Sequence, residues 1–232
     1  MTPLRRHQLV RLNERGWARV VASMRGTAAQ GCITHWAEQC WPLVVTRQTS
    51  ADHWREGLLC LGLPAPSEWG RARIALTAER SDIAYFDEFP EASAATRLLP
   101  RKERPGWQKL FKALSNGKFR PRVYGSYGWQ LLTGQQHVRP GSDLDLLLTV
   151  STPDEADRCA TLLSAHAAAS QGVRLDGELM FANGAALPWR EWFNWRSGLV
   201  SSVIVKTTLC AQLTHDAFWE HGQNHSATGC FG

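Results

Sequence analysis

At 232 residues, with 44% apolar and 20% charged side chains, the chain is long enough for one sizeable core or two modest ones, and its composition excludes a disordered or collagen-like protein. Nowhere do 18 uncharged apolar residues run together, and after MTPLRRHQLV charge returns before a signal-peptide core forms, so a cytoplasmic protein without a membrane span is expected. The net charge of +5 is local: nine Lys or Arg against the single acid Glu103 between Arg97 and Arg122 give +8, leaving about −3 elsewhere by subtraction.

That basic segment suits a polyphosphate ligand or an acidic protein at least as well as DNA, and its plain reading is a solvated connector. Six cysteines, Cys32, Cys40, Cys60, Cys159, Cys210 and Cys230, form no Cys-x-x-Cys pair, which fits reduced thiols rather than a disulfide framework or zinc ribbon.

In chain order, the first 90 or so residues hold short apolar runs, WPLVVT at 41–46 and LLCLGL at 58–63, separated by polar and proline-bearing turns. They predict a small mixed domain over residues 1–95, of no legible chemistry, joined by an Ala-, Arg- and Pro-rich connector to a second domain over 96–232.

Trp107, Leu110, Phe111 and Leu114 recur at helical spacing. A short strand follows over 122–125, then a helix that Ser126 caps and Gly134 ends, and a strand over 143–150. Thr152-Pro153-Asp154-Glu155 is a capping box opening a helix to about Ser170. Residues 173–181 predict a strand, PWREWFNW a helix and SSVIVKTTL a further strand. Strands alternating with helices predict an α/β (α+β) domain, a mixed sheet flanked by helices.

Asp143 and Asp145 interrupt the apolar strand. Alternation puts both on one face, with Leu144, Leu146, Leu148 and Val150 on the other. At ~4 Å and an effective dielectric near 20, two such charges repel by roughly 4 kcal/mol, so something must compensate them. Either water and arginines at the rim screen the pair, or a divalent cation sits between them. Upstream, Gly125-Ser126 stands at a strand-to-helix turn suited to phosphate. Downstream, Asp176 and Glu178 share a face opposite Leu175 and Leu179, which offers a third carboxylate. Magnesium sites combine one or two carboxylates with substrate phosphates, and paired ions serve phosphoryl and nucleotidyl transfer.

Gly-Ser at the helix start, Asp-x-Asp on a strand and a later strand aspartate resemble the DNA polymerase β type nucleotidyltransferase superfamily, with Gly125, Ser126, Asp143, Asp145 and Asp176 at the matching positions. Sixteen residues between Ser126 and Asp143 exceed the usual spacing and imply a longer loop over 133–142. More narrowly, YGSYGWQLLTG, SDLDLLL, RLDGEL, WREWFNW and VIVKTTL, in that order, resemble the phosphoribosyl-dephospho-CoA transferase (holo-acyl-carrier-protein synthase) family of bacterial malonate decarboxylase.

That resemblance implies transfer of a prosthetic group from 2'-(5''-triphosphoribosyl)-3'-dephospho-CoA to a serine of the apo acyl carrier subunit, with release of pyrophosphate. It implies Mg2+ on Asp143, Asp145 and Asp176, with Asp176 helping to deprotonate the serine. Gly125 and Ser126 would hold pyrophosphate. Lys206, a charge interrupting the apolar run of the last predicted strand, is the candidate for an additional phosphate contact. Another nucleotidyltransferase, adenylylating a protein or small molecule, and a non-catalytic nucleotide- or nucleic-acid-binding module are the alternatives; nucleic acid is the less expected partner.

Other features have bland readings. Trp189, Trp192 and Trp195 recur at helical spacing and read as a core stripe, with stacking on adenine as the functional option. His215, His221, His225 and Cys230 match no structural zinc spacing.

Overall fold

The structure, a computed structural model, describes residues 4–49 and 57–215. It is a mixed α/β protein with two sheets. The first contains β1 (Leu9–Leu12), β2 (Leu43–Val45), β3 (Leu58–Pro64), β4 (Arg73–Glu79) and β5 (Ile83–Asp87), in the order β4-β3-β2-β1-β5. All its pairings are antiparallel. Helices α1 (Glu14–Ser23) and α2 (Gln30–Glu38) cover it. In β4 the buried residues Ile74, Leu76 and Ala78 alternate with exposed ones, as a sheet with one wet face requires.

The second sheet is mixed. Its strands β6 (Arg122–Tyr124), β7 (Leu144–Val150), β8 (Leu175–Phe181), β9 (Ala186–Pro188), β10 (Val203–Lys206) and β11 (Ala211–Thr214) run in the order β11-β10-β9-β8-β7-β6. Only β7 and β8 pair in parallel, over Leu144↔Leu175 to Val150↔Phe181, so the chain must cross over between them. Helix α5 (Pro153–Ala169) is that crossover. Thr152 caps it by accepting from Glu155 N–H at 3.2 Å, and Glu155 Oε2 accepts from Ser151 N–H at 2.7 Å.

As expected, Leu144, Leu146, Leu148 and Val150 are buried together. They pack in one core with Trp107, Leu110, Phe111 and Leu114 of α3 (Arg104–Asn116), Leu163 of α5, and Trp189 and Trp192 of α6 (Trp189–Arg196). The tryptophan stripe is therefore core, with Trp195 packed partly buried against it. The Ala-, Arg- and Pro-rich connector is part of the fold: its Ala92, Ala95 and Leu99 are buried in the same core.

Helix α4 (Gly125–Thr133) lies between the two cores. Tyr127 packs into the second core, while Trp129 joins the first beside Phe89. The loop that follows is long, as expected, but pinned: Gln130 Oε1 accepts from His137 and Val138 N–H at 3.2 and 2.8 Å. His137 is set near Trp36 and Trp129, each ring centroid 6.5 Å away, and burial pushes its pKa down to about 4.

Candidate active site

The open face of the second sheet carries the acids. Register aligns Tyr124 of β6, Asp145 of β7 and Asp176 of β8 across three strands. Asp143 lies one residue before β7 and not within it, at the rim, where Leu144 N–H donates to Arg174 O at 2.9 Å.

Gly125 and Asp145 are made for each other. Gly125 has φ +60°, a left-handed conformation glycine adopts at little cost, and a Cβ there would stand 1.9 Å from Asp145 Oδ2. The carboxylate thus occupies the space a side chain would fill, at the amino end of α4. Ser126 does not cap the helix as expected. Tyr124 is the N-cap and no side chain caps the turn, so the first-turn N–H groups are not satisfied by a side-chain cap, and the Ser126 hydroxyl has no hydrogen bond among the described residues.

Asp145 is mostly buried, and its pKa is pushed up to about 7, first by desolvation and then by the charges of Asp176 and Asp143. Asp176 Oδ1 accepts from Gly177 N–H at 2.8 Å. Gly177 was not anticipated. Its φ is +144°, and a Cβ would meet Leu146 O at 2.0 Å, so glycine is what lets β8 lie against β7 between the two acids of β8.

Compensation for the acids comes partly from Arg174, which the sequence reading placed inside the strand over 173–181 without a role and which stands one residue before β8. Its Nε donates to Asp143 Oδ1 at 2.8 Å, its Nη2 to Asp143 Oδ2, and it reaches Asp176 Oδ2 at 3.8 Å. That fork holds the Asp143 carboxyl below its usual range. Arginine screening, one of the two expected solutions, is thus realised for Asp143 but not for Asp145.

Glu178, the fourth acid on this face, is spoken for. Its side chain is 7% exposed and meets Lys206 Nζ at 3.1 Å, His7 Nε2 at 2.9 Å and Arg6 Nη2 at 3.4 Å. Burial opposes its charge, but the His7 hydrogen bond and these cations outweigh that and hold it well below the usual carboxylate range. His7 itself has φ +59°, uncommon for a residue with a side chain, and its ring lies 4.1 Å from that of Tyr124. Lys206, expected to touch phosphate, spends one of its three donors on Glu178 and keeps two.

A cation fits this donor set. The residues are hard oxygen ligands, and Asp145 lies in register with Asp176 on neighbouring strands. Among the described residues no three acids, histidines or cysteines are already gathered at ligand distances, so a bound magnesium would take one or two aspartates plus substrate oxygens, after Arg174 releases Asp143. A cavity of about 710 Å³ adjoins Asp143, bordered by Tyr127, Arg139, Ser142 and Arg174. Of the possible zinc ligands in the tail, His215 bonds Ser201 O at 3.0 Å, and His221, His225 and Cys230 lie outside the described residues. The five described cysteines are unpaired, and no helix among the described residues is long and apolar enough to cross a membrane.

Comparison with known proteins agrees over most of the chain. Residues 91–217 match the phosphoribosyl-dephospho-CoA transferase MdcG C-terminal domain, and residues 5–89 match the N-terminal domain of the same family. The chain is 34% identical over 207 residues to the phosphoribosyl-dephospho-CoA transferase of Bradyrhizobium diazoefficiens, covering 89% of this chain and 90% of that one. It is 35% identical over 203 residues to the enzyme of the same name from Xanthomonas euvesicatoria, covering 87% and 90%. No solved structure matches it significantly. With both halves matched and two relatives of the same name at 34% and 35% identity, the chain belongs to the phosphoribosyl-dephospho-CoA transferase family.

Proposed function

We propose that this transferase moves the 2'-(5''-phosphoribosyl)-3'-dephospho-CoA group from its triphosphate precursor to a serine of the apo acyl carrier subunit of malonate decarboxylase, releasing pyrophosphate, on a polymerase β type nucleotidyltransferase site. One observation carries it: Asp145 sits in the notch left by Gly125, in register with Asp176, at the uncapped amino end of α4.

Asp143, Asp145 and Asp176 would hold Mg2+, which neutralises the triphosphate and acidifies the attacking hydroxyl. The first-turn N–H groups at Gly125 and the Ser126 hydroxyl donate to the departing pyrophosphate. Lys206 has two N–H bonds left for a phosphate oxygen. Asp176, with Oδ1 tied to Gly177 N–H, takes the serine proton on Oδ2. The serine Oγ–phosphorus bond forms as the bond to pyrophosphate breaks.

Incubation with apo carrier subunit, the triphosphoribosyl precursor and Mg2+, followed by intact mass of the carrier and pyrophosphate assay, tests this. The expected result is a carrier heavier by the prosthetic group, and none with Asp143→Asn or Asp145→Asn of unchanged fold. Carrier modified by AMP from ATP, or substantial transfer by both variants, overturns it.

A further inference from the structure

The basic segment is split by the fold. Arg104 turns inward, donating to Leu99 O at 3.0 Å and Arg97 O at 2.9 Å. The far end, Lys118, Arg120 and Arg122, instead meets Arg5 and Arg6 of the N-terminal domain around a cleft of about 500 Å³, within the range of small-ligand sites. Its floor is Leu147, Thr149 and Met180, on the face of β7 and β8 that carries Asp145 and Glu178. Leu147 is two residues past Asp145 on that face, a separation of roughly 7 Å.

Part of the charge is answered. Arg122 pairs with Glu88 at 2.7 Å and Arg6 with Glu178 at 3.4 Å. Arg5, Lys118 and Arg120 have no ion pair among the described residues, and Arg5 Nε is a buried donor without a partner. An unpaired buried donor costs stability unless something absent satisfies it. Lys118 is a second oddity. It has φ +64° at the end of α3, where Phe119 N–H reaches back to Leu114 O at 2.9 Å, a position that favours glycine. A lysine kept in a strained conformation at the mouth of a cationic cleft points to an anion.

We propose that this cleft is a second phosphate site, which takes the diphosphate of the dephospho-CoA moiety while the triphosphate end lies at Gly125 and Asp145. The assignment rests on the substrate reading given above. The ligand class follows from the lining: two adjacent phosphates against Arg5, Lys118 and Arg120, with the pantetheine chain over Leu147 and Met180. Arg6 and His7 line the cleft and also bind Glu178, two residues from Asp176, so both ends of one substrate meet the same segment of the N-terminal domain.

Lys118→Gly removes charge while relieving the backbone, so a loss of binding in it is not a loss of fold. Calorimetry with the full chain and dephospho-CoA, without metal, tests the site. Wild type binds. Lys118→Gly with Arg120→Ala binds about tenfold or more weakly, the loss expected for charged hydrogen bonds. Pantetheine, which lacks phosphate, does not bind. An unchanged dissociation constant in the double variant, or no binding by wild type, overturns the site. So does a double variant that loses only inorganic pyrophosphate or only the acidic carrier. A wild type that binds dephospho-CoA through these residues but modifies no carrier supports the site while removing the proposed reaction.

Discussion

His7 Nε2 lies 2.9 Å from Glu178 Oε2, a contact across 171 positions of sequence that brings the N-terminal domain within two residues of Asp176. Two further cations, Arg6 and Lys206, close on the same carboxylate from different elements. Glu178→Ala leaves these groups facing a buried gap, and breaking such a network costs about 3 kcal/mol or more. Urea unfolding of the variant should show the lower midpoint, and transfer should fall as well because Asp176 shares the strand.

Gly125→Ala should damage the site through Asp145. The added methyl needs both a φ near +60° and the space of the Asp145 carboxylate. A cost of about 1–3 kcal/mol is expected, with transfer lost. In an Asp145→Ala background most of the steric part disappears, so a double-mutant cycle by chemical denaturation should return a clear coupling between the two positions.

The pH dependence has a definite sign. Asp145 has its folded-state pKa raised from 3.8 to about 7, so the fold binds this proton more tightly than the unfolded chain. The resulting stability is complete below the unfolded value and fades as pH rises toward about 7. In EDTA, Asp145→Asn should therefore melt a few degrees above wild type at pH 8, with the gap closing near pH 4. Adding MgCl2 at pH 8 should raise wild type and not the variant.

Arg174 is an exposed competitor for the same carboxylates. Because its guanidinium forks Asp143 and approaches Asp176, Arg174→Ala should lower several-fold the Mg2+ concentration that gives half-maximal transfer. The stabilisation of the substrate-free protein by MgCl2, followed by melting, should shift in the same direction.

How much of this could be read from the sequence depended on range. Burial alternates along β7 as the leucines dictate, α5 starts at its threonine cap, and the buried stripe of α3 is the one spaced at Trp107, Leu110, Phe111 and Leu114. Local periodicity and capping chemistry sufficed there. Ser126 read as a cap because serine favours that position, yet the helix already begins at Gly125, at positive φ, with Tyr124 as its N-cap, which leaves Ser126 inside the first turn. Lys206 looked like an unpaired charge in an apolar strand only because its partner, Glu178, is 28 positions away. Arg174 and Gly177 carry no pattern of their own: one works by reaching across to β7, the other by having nothing to place there.

The burial of Trp129 among residues of the first sheet, while Tyr127 faces the second, has a practical consequence for anyone dissecting the protein. The two family matches meet between residues 89 and 91, yet a cut at that seam would strand an indole in water and strip one flank from the very helix that offers its amino end to phosphate. The catalytic half thus borrows the rigidity of that helix from its neighbour, through an indole packed on the other side of the seam.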